Sequence, residues 1–190
     1  MASVILYLAF NLLTGGERLA EVLVSTRNAR WAFARGGREF GQRHFPWMVA
    51  LHFGLQLGAL AEVFFLNRPF IPVLGWTMLA IDLLCQAGRW WIIGTLGHQW
   101  NTRVIVVPGL GRVRRGPYRF AWLPHPNYII VAVEGIALPL IYTAWITAIA
   151  FTVLNAILLL AFRIPTENRA LKALGPDVTG SAATESAATA

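Results

Sequence analysis

Thirteen residues, Gly116-Pro117-Tyr118-Arg119-Phe120-Ala121-Trp122-Leu123-Pro124-His125-Pro126-Asn127-Tyr128, gather arginine, histidine, tyrosine and proline and then run straight into an apolar stretch. A second polar cluster, Arg163-Ile164-Pro165-Thr166-Glu167-Asn168-Arg169, stands where a later apolar stretch ends. With His98 and Trp100 these give a reactive set: His98, Trp100, Tyr118, Arg119, His125, Tyr128, Arg163 and Glu167. Aromatic rings and prolines suit a flat heterocycle such as adenine. Arginine holds an anionic oxygen through a two-pronged contact, and a carboxylate holds a ribose hydroxyl or an amino group. Plainer readings stand beside these. Trp100, Trp122, Tyr118 and Tyr128 suit a membrane-interface belt, and Arg163 suits a side chain that snorkels from a helix end.

Other chemistries lack their residues. The chain has no G-x-G-x-x-G, no Walker loop and no C-x-x-C. His44, His52, His98 and His125 lack metal-site spacing, so no metal is expected. No serine or cysteine has an evident base nearby. Cys85 is the only cysteine and falls in an apolar run, so it reads as a small buried hydrophobe with no disulfide partner.

Membrane helices have to hold this set in place. The chain has 190 residues, 56% hydrophobic and only 13% charged, with a mean hydropathy of +0.55. A soluble domain carries roughly 25% charge. Spans need about 20 apolar residues, and five candidates appear: Val4–Val24, Phe45–Phe65, Gly75–Ile93, Tyr128–Tyr142 and Ala144–Phe162. The fourth is short, and Pro139 near its end predicts a kink or an incomplete crossing. The fold expected is all-α and polytopic. The first span lacks the flanks of a cleavable signal peptide.

The net charge of +7 does not point to nucleic acid. Arg27, Arg30, Arg35, Arg38 and Arg43 fall between spans one and two. Arg103, Arg112, Arg114, Arg115 and Arg119 fall between spans three and four, and Arg163, Arg169 and Lys172 follow span five. This bias predicts an outside N-terminus and a cytoplasmic site and C-terminus, with the arginines meeting lipid headgroups.

Span one carries Asn11, Thr14, Arg18 and Glu21 on one helical face, and span three carries Asp82, Gln86 and Arg89. Ionisable groups in a span face the bundle interior. Glu17, Arg18, Glu21 and Asp82 read as interhelical glue, while Glu134 reads either so or as part of a site. His52 and Gln56 form a short stripe on span two. Val104–Val107, ended by Pro108-Gly109, predicts a short extended hairpin or flap. After Phe162, a surface helix capped by Thr166 and stopped at Gly175-Pro176 is expected. Residues 1–174 form one domain, and 175–190, rich in Ser, Ala and Thr, are expected to be disordered.

The order Leu96-Gly97-x-x-Trp100, Gly116-Pro117-Tyr118-Arg119, His125-Pro126-x-Tyr128 and Arg163-Ile164-x-x-Glu167 resembles the isoprenylcysteine carboxyl methyltransferase family, polytopic membrane enzymes that use S-adenosylmethionine. The N-terminal residues Glu17, Arg27, Asn28, Gly37, Glu39, His44, Pro46 and His52 resemble a bacterial branch that methylates alkylpyrones or alkylresorcinols. The chain departs from the family pattern where Pro124 precedes His125, where Asn168 follows Glu167, and at Ile130. The resemblance implies that His98, Trp100, Tyr118, Arg119, His125, Pro126 and Tyr128 line an S-adenosylmethionine pocket. It places Arg163 and Glu167 at the reacting end, and it implies a lipophilic acceptor that arrives from the bilayer. The acceptor is either a ring hydroxyl of a polyketide lipid, which the branch favours, or an isoprenylcysteine carboxylate. Two rival readings remain. One is an NADPH-dependent membrane reductase of the sterol-reductase type, with Arg112, Arg114 and Arg115 on a 2′-phosphate; the other is a non-enzymatic transporter or structural protein built on the polar stripes. Between Arg163 and Glu167, Pro165 interrupts the helical ladder, which predicts a bent junction that turns both side chains towards His125 and Tyr128.

Overall fold

The computed structural model describes residues 2–111, 113–120 and 125–172. Ala121–Pro124, Arg112 and the expected tail 175–190 lie outside the described residues. Helix α1 is Ala2–Phe33, α2 Phe45–Phe65, α3 Pro72–Leu96 and α4 Pro126–Leu140. Helix α5, Trp145–Ile157, runs through a π-helical turn, Leu158–Arg163, into α6, Ile164–Lys172. Prolines set several starts, as their fixed φ and missing N–H allow: Pro46, Pro72 and Pro126 sit in the first turns of α2, α3 and α4.

The second expected span is reproduced residue for residue, but α1 runs nine residues past the predicted Val24. The arginines at 27 and 30 thus belong to its last turns and not to a loop. Helix α4 packs against α3 and α5, and α2 packs against α5. Between α4 and α5 the backbones approach so closely that a Cβ on Gly135 would run into the Phe151 ring. Tyr7, Leu55, Val131, Leu138, Tyr142 and Phe151 form the apolar core there.

Ile92, Ile93 and Trp100 form a second apolar cluster, a polar layer is buried beside the two, and much of the helices' outer surface is apolar. Leu12, Leu57, Phe65, Val73, Leu84 and Leu160 are exposed, while Asn11, Thr14, Glu21, Asp82, Gln86, Arg89 and Glu134 are buried. A water-soluble surface does not carry so much contiguous apolar area; lipid accepts it. Two helical stretches, Gln42–Phe65 and Trp145–Lys172, are long and apolar enough to cross a membrane, and Pro126–Leu140 is apolar but shorter. At 1.5 Å per residue, the latter reaches about 22 Å of a core near 30 Å thick.

Inside, Arg18 Nη1 is 3.0 Å from Glu21 and its Nη2 donates to Gln86 Oε1 at 2.6 Å. Arg89 pairs with Glu134, and Gln86 Nε2 donates to Glu134 Oε1 at 3.2 Å. Charges in a low-dielectric interior persist only when paired. Glu134 therefore joins the glue between α1, α3 and α4, which decides between its two sequence readings.

Two other expectations are corrected. Val104–Val106 is extended, as expected, but does not fold into a local hairpin. It forms strand β2, antiparallel to strand β1, Arg38–Phe40, with Glu39 opposite Ile105. A β-prone run takes whichever edge is offered, and the segment after α1 offers one. Thr166 does not cap a new helix either. It is buried within a continuous one, because the wider π turn absorbs the misfit at Pro165.

Candidate functional site

Strand β2, the end of α1, the loop after α3, the start of α4, the π turn and α6 line a cavity of about 190 Å³. His98, Trp100, Tyr118, His125, Tyr128, Arg163 and Glu167 all line it. Arg119 does not: it is exposed, with its guanidinium 4.6 Å from the Phe120 ring centre. Pro126 is buried at the start of α4 and also lies outside the lining. Its role is to start the helix that delivers His125 and Tyr128.

Local sequence explains the placement. Gly97, with φ +53, stops α3 and lets the chain double back so that Trp100 is buried under the cavity. Gly116, at φ +56, packs so tightly on Thr95 that a Cβ would come within 2.6 Å of its hydroxyl oxygen. This fixes the Gly116–Arg119 turn against the end of α3 and brings Tyr118 to the wall.

One line of hydrogen bonds crosses the site. Arg163, only 6% exposed, donates from Nη2 to the Thr102 carbonyl at 2.6 Å and from Nε to the Tyr128 hydroxyl at 3.1 Å. The Tyr128 hydroxyl in turn donates to Glu167 Oε2. His125 Nδ1 lies 3.3 Å from Glu167 Oε1 without hydrogen-bond alignment. Its ring stacks on Tyr128 with centres 5.2 Å apart. Arg163 and Glu167 thus both turn towards Tyr128, and the backbone that turns them is the π turn. Burial, with the Glu167 charge beside it, pushes the Tyr118 phenol above the ordinary tyrosine range. Tyr118 is therefore a neutral hydrogen-bonding wall and not a base.

Some lining residues escaped the sequence reading. Trp31 on α1 stacks on His98, 5.0 Å between centres and 12° between planes, with Arg35 above it at 4.2 Å. Asn127, hidden as the x of His-Pro-x-Tyr, places a buried Oδ1 with no partner in the cavity wall. Extending the α1 stripe past Glu21 to Ser25 and Asn28 would have signalled that α1 reaches the site.

The donor set fits an adenosyl sulfonium compound. Trp31, Trp100, Tyr118 and Tyr128 line the cavity with aromatic rings, and the buried Asn127 Oδ1 has no partner, as buried polar atoms lack one where a ligand completes them. Among the described residues no group of three or more His, Cys, Asp or Glu could hold a metal ion.

A family model described as the isoprenylcysteine carboxyl methyltransferase (ICMT) family matches residues 78–173. The uncharacterized protein YpbQ of Bacillus subtilis (strain 168) is 38% identical over 157 residues, which cover 82% of this chain and 90% of that protein. No solved structure matches. The matched segment holds all eight residues of the reactive set, and seven of them wall this cavity. Their ordered motifs, the apolar exterior and the extent of both matches converge on one assignment: the chain belongs to the isoprenylcysteine carboxyl methyltransferase family of membrane methyltransferases.

Proposed function

We propose that the chain is an integral-membrane O-methyltransferase that uses S-adenosylmethionine and acts on a lipophilic acceptor, a ring hydroxyl of an alkylpyrone or alkylresorcinol type of lipid. The observation that carries this is the line Thr102–Arg163–Tyr128–Glu167. It holds a buried guanidinium rigid at the edge of an aromatic-walled cavity, at the polar end of a helix whose outer face is apolar.

Trp31, Trp100, Tyr118, Tyr128, His125 and Asn127 would hold S-adenosylmethionine, which supplies an electrophilic methyl on a sulfonium. Arg163 would orient the acceptor oxygen and balance its negative charge. Tyr128 fixes the guanidinium, and Glu167 anchors Tyr128. Charge-cancelling displacement is favoured where water is excluded, and much of the acceleration comes from holding the oxygen in line. An acidic pyrone hydroxyl or a carboxylate is already an anion at neutral pH, so Arg163 suffices without a strong base; a resorcinol hydroxyl would first have to release its proton, which the Glu167 carboxylate in the same cavity wall would accept. The long chain of the acceptor would lie between the helices, in contact with lipid.

Five crossings, an outside N-terminus and a cytoplasmic site in the plasma membrane complete the reading. Their support is the distribution of arginines. Labelling of single cysteines placed at Arg35 and Arg114 from the cytoplasmic side checks the orientation.

Mass spectrometry of lipid extracts with and without expression tests the function. A gain of one methyl on a polyketide lipid is expected; methylation of farnesylcysteine alone overturns the acceptor. Titration calorimetry in detergent should show binding of S-adenosylhomocysteine. Binding of NADPH without it overturns the methyltransferase reading.

A further inference from the structure

Arg163 does not hold itself in place. Its shortest hydrogen bond goes to a backbone carbonyl, that of Thr102, and a carbonyl in a loop is only as fixed as the loop. The loop after α3 pairs with β1 from Val104 on, but from Trp100 to Arg103 it has no regular structure. It is pinned instead by the far end of α1.

The pins are dense. The Ser25 hydroxyl donates to Asn101 Oδ1 at 2.8 Å, accepts the Thr102 N–H at 3.1 Å and shares a hydrogen bond with the Thr102 hydroxyl at 2.7 Å. Asn101 Nδ2 returns a bond to the Ser25 carbonyl at 3.1 Å. One turn on, Asn28 Nδ2 donates to the carbonyls of Gly97 at 3.1 Å and Trp100 at 2.7 Å. Ser25 is 3% exposed and Asn28 4%, so neither bond set competes with water. Buried side-chain bonds to backbone groups specify one loop geometry, since each broken one leaves an unsatisfied group.

Ser25 and Asn28 lie outside the segment 78–173 that the family model matches. We propose that Ser25 and Asn101 are positioning residues that set the Arg163 guanidinium through the Thr102 carbonyl, so that α1 completes the reacting end of the site. Asn28 holds the same loop from its other side. Resting on the methyl-transfer reading of that site, the proposal assigns α1 a role in turnover and not in donor affinity.

Nitrogen-15 arginine labelling of the full chain in detergent tests it without any acceptor. The Arg163 Nε–H resonance is identified by its loss in Arg163→Lys. Ser25→Ala should shift or broaden that resonance, and Asn101→Ala should do the same; it also carries the test should Ser25→Ala fail to fold. An Arg163 resonance unmoved in both variants overturns the proposal. Turnover of a long-chain alkylresorcinol with labelled S-adenosylmethionine adds a second arm. Ser25→Ala should lower kcat roughly 10–100-fold, as misplacement near an ångström does, with S-adenosylhomocysteine affinity kept. In an Arg163→Lys background the same change should cost almost nothing more, because residues acting through one contact are not additive. Losses that multiply independently overturn the proposal. If the wild-type chain binds no S-adenosylhomocysteine, the methyltransferase reading fails, while the Arg163 resonance still decides whether α1 positions the guanidinium.

Discussion

At the scale of single residues, the site depends on geometry that only a guanidinium supplies. Arg163 reaches the Thr102 carbonyl and the Tyr128 hydroxyl at once, from two different nitrogens. An ammonium is one point of charge and cannot keep both contacts. Arg163→Lys should therefore lower turnover by roughly tenfold or more, about 1.4 kcal/mol of barrier, with S-adenosylhomocysteine affinity nearly intact. Full activity at saturating acceptor would make Arg163 a snorkelling anchor. His125→Ala should act in the opposite order, weakening donor binding first in a calorimetric titration, since its ring lines the cavity between Tyr128 and Glu167. Tyr128→Phe removes the hydroxyl between Arg163 and the part-exposed Glu167 and leaves the buried Arg163 Nε without a partner. That costs about 1–3 kcal/mol, visible as a lower melting temperature in the same detergent.

Among the elements, the π turn Leu158–Arg163 is the unusual one. Such turns are rare and gather at functional sites. Here the cause is local: a proline ring at 165 clashes with the carbonyl four residues back, and the widened turn before it makes room. The extra residue in the turn rotates the helix beyond it by about 100° relative to a plain α-helix, and that rotation points Arg163 and Glu167 at Tyr128. Pro165→Ala should let the ladder close into α-helical register. The expected result is equal or higher thermal stability together with a large loss of turnover. Unchanged turnover at equal stability would show that packing, and not the proline, sets the turn.

For the whole molecule, stability and chemistry occupy separate polar regions of one bundle. The network of Arg18, Glu21, Gln86, Arg89 and Glu134 joins α1, α3 and α4, and none of its residues lines the cavity. Removing one partner strands a buried charge at a cost of about 3–5 kcal/mol. Arg89→Met should thus lower the yield of folded protein and its melting temperature sharply. The fraction that does fold should still bind S-adenosylhomocysteine with ordinary affinity. A selective loss of donor binding in well-folded Arg89→Met would tie this network to the site after all.

The helical class and part of the cavity lining were legible along the chain. Helices could be read because lipid demands apolar runs of a given length, so Phe45–Phe65 emerged to the residue. Seven cavity residues could be read because their types recur in a fixed order around a polar gap. Packing supplied everything that depends on contacts distant in the chain. It took Val104–Val106 as the partner of Arg38–Phe40, since a strand's register is set by the edge it meets and not by its own residues. It moved Glu134 into the interhelical network, because α1 and α3 bring the two guanidiniums that a buried carboxylate needs. It left Arg119 outside, since a turn gives each side chain its own direction. It also extended α1 to the site, where Ser25 meets Thr102 across 77 residues of sequence. Spacing along a chain records which residues share a face of one helix; which loop that face will hold is fixed only when the helices pack.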